Sequence, residues 1–128
     1  MIKNGFFLVM NTDGKCVEYK IRKHFLDLIR AGVKRHEYRL GKKDVCVGDC
    51  LELICNDDPT DRISVLVVGI ERFGCWEEAL KEHWEEDFKG MYESLDDLVR
   101  ECSTFYSKEE IEKYGINVFE ISLVHNCE

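Results

Sequence analysis

Ala31-Gly32-Val33-Lys34-Arg35-His36-Glu37-Tyr38-Arg39, with Val47-Gly48-Asp49 shortly after it, is the part of this chain whose reading decides the fold. Ahead of it, Phe25, Leu28 and Ile29 recur at i, i+3 and i+4, one face of a helix over residues 22–30. Gly32 closes that helix, because glycine adopts the left-handed backbone that β-branched Val33 avoids. From there the period changes to two. Residues 34–40 read as extended chain, with Lys34, His36, Tyr38 and Leu40 on one side and Arg35, Glu37 and Arg39 on the other. Charges this dense at the entrance to a sheet suggest the lining of a pocket for a polar ligand.

Outward from this stretch the chain alternates strands and short helices. Towards the N-terminus, residues 5–10 form an apolar strand, 11–14 a turn built on Asp13-Gly14, and 16–21 a second alternating strand. Towards the C-terminus, Gly48 and Asp49 make a tight turn into a strand over 50–55, with Leu51, Leu53 and Cys55 inward. Residues 63–71 are apolar on both sides, Val65, Val67 and Gly69 against Leu66, Val68 and Ile70. A strand of that kind is covered on both faces and sits centrally. Past Cys75 the spacing of Trp76, Ala79 and Leu80 is helical, with Glu77 and Lys81 as an i, i+4 pair. Ser94 with Asp97, then Ser107 with Glu110, cap two further helices, the second ending near Gly115. A last strand over 117–124 presents Phe119, Ile121 and Leu123 on one face. The expectation is one α+β domain over residues 1–128 with a mostly antiparallel sheet.

Composition narrows the function classes. With a mean hydropathy of −0.32 and no uncharged apolar run near the roughly 20 residues of a membrane helix, a cytoplasmic protein without a membrane partner is expected. The 7 cysteines are odd in number and lack paired CxxC spacing, which points to reduced thiols. His24, His36, His83 and His125 form no metal-ligand motif, so neither metal nor cofactor is expected. Net charge is −8, which disfavours nonspecific contact with polyanions, yet the charge is unevenly spread. Residues 16–43 hold Lys20, Arg22, Lys23, Arg30, Lys34, Arg35, Arg39, Lys42 and Lys43; residues 77–113 are dominated by acids, Glu85, Glu86 and Asp87 among them. The basic stripe suits a phosphate or nucleic acid, and the acidic helical face suits a basic protein partner.

The helix, the Gly-x-Lys-x-x-Glu-x-Arg segment Gly32 to Arg39 and the Val47-Gly48-Asp49 turn together resemble the ASCH domain of the PUA-like superfamily. The later elements agree in order, from the strand ending at Phe73 to the closing segment Tyr114-Gly115-Ile116-Asn117-Val118-Phe119. The resemblance implies a small, partly closed β-barrel flanked by short helices. It also implies a cleft beside the Gly32 helix end that receives RNA or a nucleoside or nucleotide ligand. Some ASCH proteins resemble amidohydrolases of acylated cytidine that pair the motif lysine with a threonine two residues before the motif arginine. Here that position is Glu37, which has no hydroxyl.

On these grounds the candidate ligand-binding residues are Lys34, Glu37, Arg39, Tyr38, Trp76, Tyr106 and Ser107. Lys34 and Glu37 are also the catalytic pair if the protein is a hydrolase of modified nucleosides. Lys34 can donate to a base carbonyl or phosphate. Glu37 either accepts from the amino edge of a base or pairs with Arg39 across i, i+2. Tyr38 and Trp76 offer stacking faces, with Tyr106 and Ser107 at the rim. On a regular strand Lys34 and Glu37 point apart, so a shared site requires a bulge or the barrel rim to unite them. For turnover, Lys34 would need Glu85 or Glu86 as a second carboxylate.

Overall fold

The computed structural model describes residues 14–88 and 90–123. The strand expected over 5–10, most of the turn after it, and His125 lie outside the described residues. In chain order the elements are β1 (Cys16–Ile21), α1 (Lys23–Arg30), β2 (His36–Leu40), β3 (Cys50–Cys55), β4 (Arg62–Phe73), α2 (Trp76–Lys81), α3 (Trp84–Phe88), α4 (Leu95–Cys102), α5 (Lys108–Tyr114) and β5 (Ile116–Leu123). The sheet runs β1-β3-β4-β5-β2. β1 lies parallel to β3, and the three other pairings are antiparallel. A parallel pair needs a long crossover, and α1 with β2 supplies it. The result is an α+β, partly closed barrel flanked by short helices.

Local sequence sets the element ends. Gly32 takes φ +80°, and the Val33 N–H turns back to the Leu28 carbonyl at 2.9 Å while Gly32 N–H reaches Ile29, a Schellman closure. Ser94 caps α4 by accepting from Asp97 N–H, and Ser107 with Glu110 forms a complete capping box on α5. The Glu77–Lys81 ion pair expected on α2 does not form.

Two apolar cores divide the molecule. Leu26 and Ile29 of α1 fill the hollow of the sheet against Leu51, Leu53, Val65, Val67 and Phe119, all but Ile29 wholly buried. Each such side chain contributes about 1.5–3 kcal/mol of burial. On the other side, Trp76, Leu80, Phe88 and Leu98 pack the helices against Tyr38, Ile116 and Val118. β5 therefore carries the double burial that the sequence assigns to β4. β4 is the middle strand, but its register slips between Val67 and Gly69. The extra residue, Val68, points outward at 42% exposure, and Ile70 returns to the inner face.

β1 and β2 are the sheet's two edges, and side chains span the seam between them. Arg39 of β2 donates from Nη2 to the Lys20 carbonyl of β1 at 2.9 Å, and its guanidinium lies 4.6 Å from the centre of the Tyr19 ring. Among the described residues no helix is long and apolar enough to cross a membrane.

Candidate ligand cavity between the barrel and its helices

Lys34 leaves the α1 cap before β2 begins, with its own N–H bonded to Leu28, so the alternation of the strand does not bind it. Its stem folds inward until the ammonium is 3.0 Å from Glu37 Oε1, and it also donates to the His36 carbonyl. Three rings surround that ammonium, Tyr38 at 5.2 Å, Phe88 at 5.5 Å and Phe25 at 5.9 Å, each within cation–π reach. Arg39 binds the other carboxylate oxygen, Glu37 Oε2, through Nε at 2.7 Å and Nη2 at 2.6 Å. Lys34 and Glu37 are each 4% exposed. The ion pair expected between Glu37 and Arg39 thus forms, and the paired carboxylate also lines the cavity.

A second buried polar centre lies one turn away. Asp87 of α3, fully enclosed, accepts from Arg35 N–H at 2.8 Å and Tyr38 OH at 2.7 Å, and its Oδ2 lies 3.0 Å from His36 Nδ1. This carboxylate fastens α3 to β2 and fixes the Tyr38 ring. The sequence reading counts Asp87 with the solvated acids, and the structure moves it inside. Trp84, Asp87 and Phe88 are spaced i, i+3, i+4, the one local sign that Asp87 shares an apolar face.

The Lys34–Glu37–Arg39 cluster and Tyr38 line a cavity of about 240 Å³, and Arg35, His36 and Asp87 do not. Lys34, Glu37, Tyr38 and Trp76 are its buried lining, Phe25 and Tyr106 are half-buried, and exposed Lys20 and Arg22 with half-buried Arg39 lie towards its mouth. The Trp76 and Tyr106 rings are parallel within 6° at 6.0 Å, and the Trp76 indole N–H is buried without a partner among the described residues. Glu101 accepts from Tyr92 OH and pairs with Arg22 at 3.2 Å. Four cations thus line the cavity against the carboxylates Glu37 and Glu101, an electropositive hollow in a chain of net charge −8. Ser107 does not line it, because its hydroxyl is occupied as the α5 cap. Glu85 and Glu86 do not line it either.

Protonation follows from these contacts. Burial pushes the Glu37 carboxyl upward, but the Lys34 ammonium and Arg39 guanidinium outweigh it and hold the group below the usual carboxylate range. Asp87 is likewise held low, since the His36, Arg35 and Tyr38 contacts exceed the effect of burial. Burial, then Asp87, keep the Tyr38 phenol far above its ordinary range, so it remains a donor. Burial also pushes the Cys102 thiol in the cavity wall up to about 12, which leaves it neutral. Among the described residues no serine or threonine lines the cavity, and its hydroxyls are tyrosine phenols, of which Tyr38 and Tyr92 donate to Asp87 and Glu101.

A partly closed barrel of these five strands, flanked by short helices, defines the class: this is the fold of ASCH domains. The chain superposes on the ASCH domain of Lactobacillus crispatus JV V101 with a TM-score of 0.60, at 16% identity over 85% of this chain and 78% of that one. A mutant of the ZmASCH protein from Zymomonas mobilis gives 0.51, at 14% identity over 86% of this chain and 69% of that one. The hypothetical protein PH0355 gives 0.71, at 27% identity over 86% of this chain and 99% of that one. No family model and no curated protein matches the sequence itself.

Proposed function

We propose that the chain binds a nucleobase-containing ligand, RNA or a nucleoside or nucleotide, in the cavity beside the α1 cap. One observation carries this reading: Lys34 and Glu37, buried and paired, line the same hollow as Trp76 and Tyr106. At about 240 Å³ the cavity is smaller than the roughly 300–1,000 Å³ of drug-sized sites, a size suited to one base or nucleoside rather than several. Aromatic walls favour a planar π-system, and each base stacked on an aromatic is worth about 1–3 kcal/mol. The Lys34 ammonium and the Trp76 N–H supply donors for base carbonyls, while Glu37 supplies an acceptor for an exocyclic amine. Lys20 and Arg22 lie where a phosphate of the same ligand would emerge. Binding rather than turnover is favoured, because a carboxylate held below its usual range is a weak base near neutral pH.

The test is titration of short single-stranded RNAs, nucleotides and acylated cytidines against the wild type and Lys34→Ala at one salt concentration. The substitution removes one or two charge-assisted hydrogen bonds, so affinity falls roughly ten- to a hundredfold. Equal affinity for both proteins, or binding by neither, rejects the reading. Release of free acid from an acylated cytidine, lost in Lys34→Ala, would replace binding with hydrolysis.

A further inference from the structure

The molecule has a second concavity, an open groove of about 750 Å³ at the N-terminal end of β2, and none of its lining residues is shared with the cavity. Its charge is the reverse of the cavity's: Glu71, Glu82, Glu86 and Glu120 line it against the single guanidinium of Arg35. His36 and His83 lie within it, their rings stacked at 3.7 Å and 12°. One donor atom each from His36, His83 and Glu86 falls within 4.8 Å of the others.

We propose that this trio is a binding site for a divalent transition metal of the zinc class. The decisive feature lies behind His36. Its Nδ1 is 3.0 Å from the wholly buried Asp87 carboxylate, which Tyr38 OH and Arg35 N–H hold in place. A carboxylate there accepts a hydrogen bond from Nδ1 and so leaves Nε2 as the nitrogen open to a metal. Metal-binding histidines are oriented in this way. Glu86 meets Arg35 with Oε2 at 3.6 Å and His83 Nδ1 with Oε1 at 3.3 Å, and one of its oxygens lies within 4.8 Å of a ring nitrogen of each histidine. Ligands of a tetrahedral ion bound at about 2.0–2.1 Å lie about 3.3 Å apart. His83 and Glu86 are not fully buried and can rotate to close that gap, whereas His36 is fixed. Imidazole with carboxylate suits zinc and its neighbours rather than magnesium or calcium. Three protein ligands at a groove leave a fourth position open to water or a small molecule. The ligands are distant in sequence, which is why no spacing motif announces them.

The experiment titrates Zn2+ and Co2+ into the full chain with its cysteines reduced, in competition with a chromophoric chelator. Wild type, His83→Ala and Glu86→Gln are compared, and thermal melts of the metal-free proteins confirm that each variant folds. His36 is left intact because its loss would strip Asp87 of a partner. The expected result is one Zn2+ per chain, with affinity reduced in both variants by at least the about 10–100-fold that loss of an outer hydrogen-bond partner alone causes. The cobalt adduct should show four-coordinate ligand-field bands without thiolate-to-metal absorption. Undiminished binding in His83→Ala, a thiolate-dominated cobalt spectrum, or no stoichiometric binding by the wild type would overturn the assignment.

Discussion

Glu37 is held by two cations and is only 4% exposed, which makes it the residue with most to lose. Replacement by Gln leaves Lys34 and Arg39 facing a neutral amide in a site 4–16% exposed. Breaking a buried pair from one side costs about 3–5 kcal/mol, so Glu37→Gln should lower the free energy of unfolding in urea by that amount at neutral pH. Its pH dependence follows in sign. The folded carboxyls of Glu37 and Asp87 both sit below their unfolded values of about 4. Each therefore contributes stability that is complete above that range and is lost as pH falls through the lower folded values. Wild-type stability should be flat above about pH 5 and fall steeply towards pH 3, and Glu37→Gln should show a shallower fall over the same window. A mutant that matches wild type at pH 7, or an acid profile it leaves unchanged, would contradict the description of this cluster. The residue types of the cluster were legible from Gly32 to Arg39, but its geometry was not. Alternation puts Lys34 and Glu37 on opposite faces. The structure unites them because β2 starts only at His36 and a lysine stem is long enough to turn back.

Among the elements, the helix ends were the best-marked features, because caps are local chemistry: Gly32, Ser94 and Ser107 stand where capping residues are needed. Ser107 shows how a local signal can carry two meanings. Its neighbour Tyr106 lines the cavity, while its own hydroxyl accepts from Glu110 N–H at 3.0 Å. Ser107→Ala should therefore cost about 1 kcal/mol in thermal or urea unfolding and leave ligand affinity unchanged. Reduced affinity at unchanged stability would return Ser107 to the site. Features set by tertiary contact were harder to read. The bulge at Val68 sits in an apolar run with Gly69 as its one local sign, so by hydrophobicity alone β4 reads as doubly covered. α3 is five residues long and its charges resemble a solvated acidic segment, so composition alone does not separate buried Asp87 from exposed Glu85 and Glu86. The parallel pairing of β1 with β3 depends on where α1 lands, which no window of sequence records. The acidic face available to a basic partner is correspondingly smaller than the sequence suggests, because Asp87 does not belong to it.

At the scale of the whole molecule, a chain of net charge −8 lines one hollow with Lys20, Arg22, Lys34 and Arg39 against two carboxylates, and lines another with Glu71, Glu82, Glu86 and Glu120 against Arg35 alone. The arrangement favours a small anionic ligand in the cavity over extended coating of a polyanion. Three mouth cations, Lys20, Arg22 and Arg39, limit the phosphates a strand can meet at the cavity. For single strands the logarithmic salt slope is about −0.7 per phosphate, so binding of short RNAs should fall with salt no more steeply than about −2. A much steeper slope would mean a broad electrostatic surface instead. The central claim, that this cavity receives a nucleobase, is tested most directly through the chain's 2 tryptophans. Trp76 lines the cavity with an unpartnered indole N–H, while Trp84 lies on α3 outside it. In a 15N-resolved NMR titration with nucleotides and short RNAs, the Trp76 indole resonance should move saturably while that of Trp84 stays nearly still. A stationary Trp76 signal at ligand concentrations that shift other resonances would contradict it.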